Sequence, residues 1–193
     1  MKAALVLVLL WLPGLAAAAV PPPAPQTWPI DPARSQAQFS VRKFWLAHER
    51  GTFPQLQGTL RRIDTAIDAD LVEVDATLDV NGLRMDDPDH RARVLGPDFF
   101  DAARFPWVRF DSDPFPLRVL ATGGTVHGML TLHGERHPMT LTLRPSDCPR
   151  QPLACVIRAH GSISRSTFGM HAWRGVISNR VELDLHISLG DRP

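Results

Sequence analysis

With 193 residues and 44% apolar side chains, the chain has the length of one domain and the means to bury a substantial core, which leaves no room for a second. Its 21 basic and 20 acidic side chains nearly cancel. Almost every cation is an arginine, scattered along the chain, which excludes the concentrated basic footprint of a nucleic-acid partner.

Residues 1–19 combine a single lysine, an apolar run broken at Pro13-Gly14 and the small residues Ala16–Ala19. This pattern predicts a secretory signal cut near Ala19; an uncleaved membrane anchor is the alternative. Residues 20–27, VPPPAPQT, lack the donors a sheet needs and predict a Pro-rich tether. The folded domain is expected over 28–193.

From Trp28 onward the dominant period is two. Ala37, Phe39 and Val41 alternate with polar neighbours, and Val72, Val74, Ala76, Leu78 and Val80 alternate with Glu73, Asp75, Thr77 and Asp79. Asp86–Leu95 is the one stretch with a helical signature, since Pro88 suits a first turn and Asp86/Asp87 suit a helix start. Residues 96–110, GPDFFDAARFPWVRF, crowd five aromatics among prolines and aspartates. Here Pro97 and Pro106 predict a bent connection, with Asp98 and Asp101 satisfying turn amides and Phe99 and Phe100 pointing inward. Val108 and Phe110 then start another strand, and Trp107 reads as a half-exposed packing residue.

Further strands are predicted at Val126–Leu132, Met139–Leu143, Ala154–Ala159 and Val181–Leu189, separated by Gly123-Gly124, Gly134 and Pro145. Cys148 and Cys155 are the only cysteines. Export would place them in an oxidising compartment, so a disulfide closing the PRQPLA loop is expected, with two free thiols as the alternative. An antiparallel all-β chain of about eight strands with a short helical segment hides its apolar faces and edges best as a closed barrel, the smallest size that holds one small ligand. A β-sandwich, filled by side chains, is the other solution.

Four blocks then line up in order: WPIDPARSQAQFSV at 28–41, GPDFFDAARFPWVRFDS at 96–112, GMLTLHGERHPMTLTL at 128–143 and ISRSTFGMHAWRGVISNRVELDL at 163–185. Together they resemble the YceI-like family of periplasmic polyisoprenoid-binding proteins, whose lipocalin-like β-barrel encloses a long apolar ligand. The departures are Lys43, where the family often has histidine, Arg93-Val94-Leu95-Gly96 before the DFF motif, and Thr167 in the R-S-x-F-G pattern. The resemblance implies a periplasmic, non-enzymatic carrier or reservoir that requires no cofactor and binds an isoprenoid lipid, either a polyprenyl chain or an isoprenoid quinone. It makes Phe39, Val41, Phe53, Phe99, Phe100, Phe110, Leu130, Leu141, Arg165, Phe168, Met170 and Trp173 the ligand-binding candidates.

Several positions keep two readings. Phe99 and Phe100 either close the core or line the cavity. Arg165 either meets a ligand head group or pairs with a surface carboxylate. Phe168, Met170 and Trp173 form either a lid or ordinary packing. His133 and His137 are four apart, a spacing that shares a face only on a helix, so both read as solvent-exposed turn residues and no metal site is expected. GSISRS at 161–166 has no nucleophile-elbow pattern and no assignable base, so no catalytic residue is expected. Two functions of other kinds also fit a barrel: an interaction or stress-response module with a filled interior, and a redox partner presenting quinone to a membrane cytochrome.

Overall fold

The computed structural model describes residues 26–44, 47–63 and 70–190. The expected signal segment and most of the tether lie outside them. Among the described residues no helix is long and apolar enough to cross a membrane.

Among the described residues, eleven strands form one antiparallel sheet: β1 (Thr27–Pro29), β2 (Gln36–Lys43), β3 (Ala47–Pro54), β4 (Gln57–Ile63), β5 (Leu71–Asp79), β6 (Trp107–Ser112), β7 (Phe115–Pro116), β8 (Gly124–Leu132), β9 (Glu135–Leu143), β10 (Ile157–Ser164) and β11 (Ile177–Ile187). They hydrogen-bond in the order β1-β4-β5-β6-β8-β9-β10-β11-β2-β3, with the short β7 beside β5. Period two does what it predicted. On β8, Val126, Gly128, Leu130 and Leu132 are buried, while Thr125 and His127 are exposed.

The sheet curls because its two ends are joined. Ile30 bridges Leu189, the Asp31 N–H donates to the Ser188 carbonyl at 2.8 Å and the Gly190 N–H donates to the Pro29 carbonyl at 2.8 Å, so the segment beginning with β1 connects β4 to the end of β11. On the other side, reciprocal bonds of 2.9 and 2.8 Å tie Thr52 of β3 to Arg84, which follows β5. These links turn the apolar face inward, as a barrel requires, and decide against a sandwich.

Among the described residues, two α-helices interrupt the sheet. In α1 (Pro88–Leu95), Pro88 occupies the first turn and the Asp87 carboxylate accepts from the Asp89 and His90 amides at 2.8 and 3.2 Å. Val94 and Leu95 pack against the core, and Arg91 donates to the Leu83 and Asn81 carbonyls, fixing the helix across one end of the barrel. The second, α2 (Val119–Thr122), is a single turn with no sequence signature. The β8–β9 hairpin turns on His133 and Gly134, with φ of 54° and 79°. A β-carbon on Gly134 would stand 2.6 Å from the Phe105 ring, so this tight turn needs glycine for space as well as for backbone sign.

Cys148 and Cys155 are bonded, in the connection between β9 and β10. Residues Pro152–Ala154 form a short 3-10 turn and β10 starts only at Ile157, three residues later than the apolar pattern placed it.

Candidate functional site

The barrel encloses a cavity of about 230 Å³. Its wall is apolar over most of its length. One end is shut by Ile30, Leu56, Leu120 and Leu189, all buried. The register of β2 against β11 sets the direction: Ala37 pairs with Leu185 toward that shut end, and Lys43 pairs with Ile177 at the other.

At the open end the wall turns polar. Lys43 from β2, Glu49 from β3, His90 and Arg93 from α1, and Trp173 from the loop before β11 all contribute. His90 Nδ1 lies 2.8 Å from Glu49 Oε1, which ties α1 to β3. The Arg93 guanidinium lies 5.2 Å from the Trp173 ring centroid, which ties α1 to the loop. This end is the mouth. Two aromatics stand in solvent around it: Trp173 is 43% exposed and Phe44 is 59% exposed, both on left-handed backbone, with φ of 58° and 51°.

Inside, Phe39 and Phe53 lie 5.9 Å apart, and Phe100 meets both edge-on at 6.3 and 5.6 Å. Gly51, opposite Phe39 on β3, makes this cluster possible, because a β-carbon there would sit 2.3 Å from the Phe39 ring. The far wall is the inward face of β11. Val181, Leu183, Leu185 and Ile187 point at the cavity yet are only partly buried, whereas the cavity-lining Val126, Leu130, Leu132, Met139, Leu141 and Leu143 of β8 and β9 are buried. Side chains that face inward and still keep accessible surface border a space with no protein atoms in it.

Among the sequence-derived candidates, the structure brings Phe39, Val41, Phe53, Phe99, Phe100, Phe110, Leu130, Leu141, Arg165, Met170 and Trp173 together on this wall. Phe99 and Phe100 do both things that were open for them: Phe99 is buried, Phe100 packs in the aromatic cluster, and both line the cavity. Phe168 is placed elsewhere. It is 2% exposed, outside the cavity wall, with its ring edge-on to His137 at 5.2 Å. The segment Arg165–Phe168 forms a 3-10 turn that sends Phe168 toward β9, a reversal that strand alternation does not register.

The histidines also differ from expectation. His133 is half-buried, its Nδ1 3.1 Å from the Phe168 carbonyl and its ring 4.8 Å from that of Phe105. His133 thus sits in the turn, as expected, but half-buried, while His137 lies within β9 with its ring against Phe168 and its side chain still partly exposed. Among the described residues, no three His, Cys, Asp or Glu side chains converge in a metal-holding group.

Arg165 fits neither of its two readings fully. It is 4% exposed, and it donates through Nε to the Ser178 carbonyl (3.1 Å), through Nη1 to the Met170 and Ala172 carbonyls (2.9 and 2.6 Å) and through Nη2 to the Ile177 carbonyl (3.1 Å). It therefore fastens the loop before β11 to the strand. Burial, and secondarily the neighbouring Arg174, push its pKa below the usual arginine value.

Gln38, Lys43, Glu49, His90 and Arg93 are wall residues that sequence reasoning did not select. The spacing of His90 and Arg93 was the available signal, since residues three apart share a helix face, but nothing in the sequence says where α1 docks.

The family profile for the YceI-like domain matches residues 28–189. The chain belongs to the YceI-like family. No curated protein matches it. Solved structures share the fold at low identity. Burkholderia cenocepacia BcnA superposes with a TM-score of 0.68 at 21% identity, covering 84% of this chain and 99% of the other. A polyisoprenoid binding domain from Saccharophagus degradans, implicated in plant cell wall breakdown, gives 0.61 at 20% identity, over 87% and 99%. The Campylobacter jejuni YCEI protein gives 0.56 at 13%, over 78% and 90%. Lys43 and Arg93 of this YceI-like domain stand at the mouth of its barrel.

Proposed function

We propose that this YceI-like protein is a periplasmic, non-enzymatic carrier or reservoir that encloses the tail of an isoprenoid lipid, with no cofactor required. The observation that carries the reading is the half-buried inward face of β11, a wall of aliphatic side chains bordering a closed-ended apolar cavity. The polyisoprenoid-binding relative with the same fold supports the choice of ligand class. The disulfide suits an oxidising compartment.

The energetics are sufficient. An isoprene unit of five carbons gains about 4 kcal/mol gross on burial, at ~0.8 kcal/mol per carbon. A few units outweigh an association cost of ~4–15 kcal/mol and leave micromolar binding.

The test is mass spectrometry of an organic extract from protein purified without detergent, followed by rebinding of isoprenoids of increasing length. An extracted isoprenoid and affinity that rises with the number of units are expected. An empty extract together with affinity flat in tail length would overturn the reading in favour of a barrel that acts by protein interaction. A quinone in the extract would direct the search for a partner to membrane cytochromes.

A further inference from the structure

Of the four exposed large apolar side chains among the described residues, two, Phe44 and Trp173, stand on the rim of the mouth. Their tips are joined through the backbone: the Phe44 N–H donates to the Val176 carbonyl at 2.9 Å, and the Val176 N–H donates to the Trp173 carbonyl at 3.1 Å. Both rings thus sit on the side of the barrel where β2 meets β11. Turn chemistry does not call for them, since left-handed backbone disfavours bulky side chains and turn tips ordinarily carry glycine, asparagine or aspartate. Packing leaves much of each side chain in solvent. Side chains held at a backbone cost and not consumed by the core serve something outside the molecule.

Each ring has a cation over it. Lys43 Nζ lies 5.9 Å from the centroid of Phe44, as the Arg93 guanidinium lies over Trp173. Arg42, next to Lys43 on β2, and Arg174, next to Trp173, are exposed on the same rim. Among the described residues, none of these four cations is within ion-pair distance of a carboxylate. The carboxylates of the elements around the mouth are engaged or set back. Glu49 meets His90, and Asp86, Asp87 and Asp89 lie at or before the first turn of α1, whereas Arg93 is in its last.

We propose that this rim, Phe44 and Trp173 with Arg42, Lys43, Arg93 and Arg174, docks the protein onto a bilayer that contains anionic phospholipid. Aromatic rings settle at head-group depth, and cations beside them keep their apolar stems near the acyl boundary while their charged ends reach the phosphates. Attraction to an anionic surface adds to the burial of the rings, whereas an apolar patch on a protein would leave four charges unanswered. Docked in this way, the barrel opens directly onto the bilayer, and a tail passes between the two without crossing water. That use rests on the carrier reading; the docking itself does not.

The test is co-sedimentation of delipidated protein with vesicles of phosphatidylcholine, either pure or mixed with phosphatidylglycerol, at low and high salt. It compares the wild type with Phe44→Ser, Arg42→Gln/Arg174→Gln and Trp107→Ser. All four substituted residues are exposed, and circular dichroism establishes that the variants are folded. Trp107, on β6 and separated from β11 by β8, β9 and β10, is the control for exposed aromatics in general. The wild type is expected to bind the anionic vesicles at least about tenfold more tightly than the neutral ones at low salt, and to lose that preference at high salt. Phe44→Ser should weaken vesicle binding about tenfold, and the double arginine variant should lose most of the preference for anionic lipid. Trp107→Ser should bind as the wild type does. None of these residues lines the cavity, so titration with geranylgeraniol in solution should give the same affinity in every variant. No vesicle binding by the wild type, or equal loss in Phe44→Ser and Trp107→Ser, would overturn the inference. A dimer in lipid-free buffer that Phe44→Ser dissociates would overturn it in favour of a contact between two copies of the chain. Rim-dependent vesicle binding by a protein that takes up no isoprenoid would support the docking and overturn the carrier reading.

Discussion

If the space behind β11 is a cavity, two leucines of equal size should respond very differently to truncation. Leu83 is 1% exposed, lies outside the cavity wall and touches the Gly51 region of β3. Its replacement by alanine removes methyl groups contacted on all sides, at a cost of about 2–5 kcal/mol. Leu183 sits between Phe39 of β2 and Gly161 of β10 and faces the cavity half-buried. Its outer methyl groups have no protein partner to lose, so Leu183→Ala should cost about 1 kcal/mol or less in delipidated protein. For a domain of this size each kcal/mol moves Tm by roughly 2–4 °C. Leu83→Ala should therefore lower Tm by about 4–20 °C and Leu183→Ala by no more than about 4 °C. The order reverses for ligand: Leu183→Ala should weaken isoprenoid binding about fivefold, equivalent to ~1 kcal/mol of lost tail contact, and Leu83→Ala should leave it unchanged. Thermal melts by circular dichroism and calorimetric titration read both quantities. Equal destabilisation by the two variants in lipid-free protein would mean a filled interior and would refute the cavity argument.

The other expectations concern local devices. Reducing the Cys148–Cys155 bond, which spans a sequence separation of 7, should cost about 2–3 kcal/mol of stability in a denaturant titration, and because its loop contributes nothing to the cavity wall, isoprenoid affinity should not change. Gly51→Ala should destabilise by about 1–3 kcal/mol and weaken ligand binding together, since the new methyl must displace the Phe39 ring; an unchanged melt would show that the ring is not confined. Asp87 has its carboxyl held below the usual aspartate value of 3.8, first by the His90 amide and then by the Asp89 amide. Its capping contribution is thus present above that usual value and lost as pH falls through the lower, folded-state one. Protection of the Asp89 and His90 amides, measured against their intrinsic exchange rates at each pH, should fall over that acid window, whereas Asp87→Asn, which still caps but does not titrate, should show no such step.

How much of this could be read from the chain depended on whether side chains or neighbours decided the structure. β5 announces itself by the alternation of Val72, Val74, Ala76 and Leu78, and β8 and β11 by Val126, Leu130 and Leu132 and by Val181, Leu183, Leu185 and Ile187. β3, AHERGTFP, does not: its inward positions are Glu49, Gly51 and Phe53, the first serving the mouth and the second emptied to admit the Phe39 ring. β4 is similarly hidden, with Leu60 as its only buried side chain. The α1 cap was legible because Asp87 and Pro88 act on adjacent backbone. Phe168 was not, because a 3-10 turn redirects it away from the wall that its neighbours line.

The same reasoning explains why the site's polar half escaped a sequence reading that found its apolar half. An apolar wall is built by repetition, and repetition is visible along one strand. The mouth is built by convergence of single residues from β2, β3, α1 and the loop before β11, each of which looks like an ordinary surface charge in its own segment. Only the fold brings His90 to Glu49, Arg93 to Trp173 and Arg174 to Arg165. Affinity in such a protein resides in the repeated aliphatic wall, and selectivity resides in the converging rim. Substitutions along β11 should therefore change how tightly all isoprenoids bind, while substitutions at Lys43 and Arg93 should change which of them is preferred.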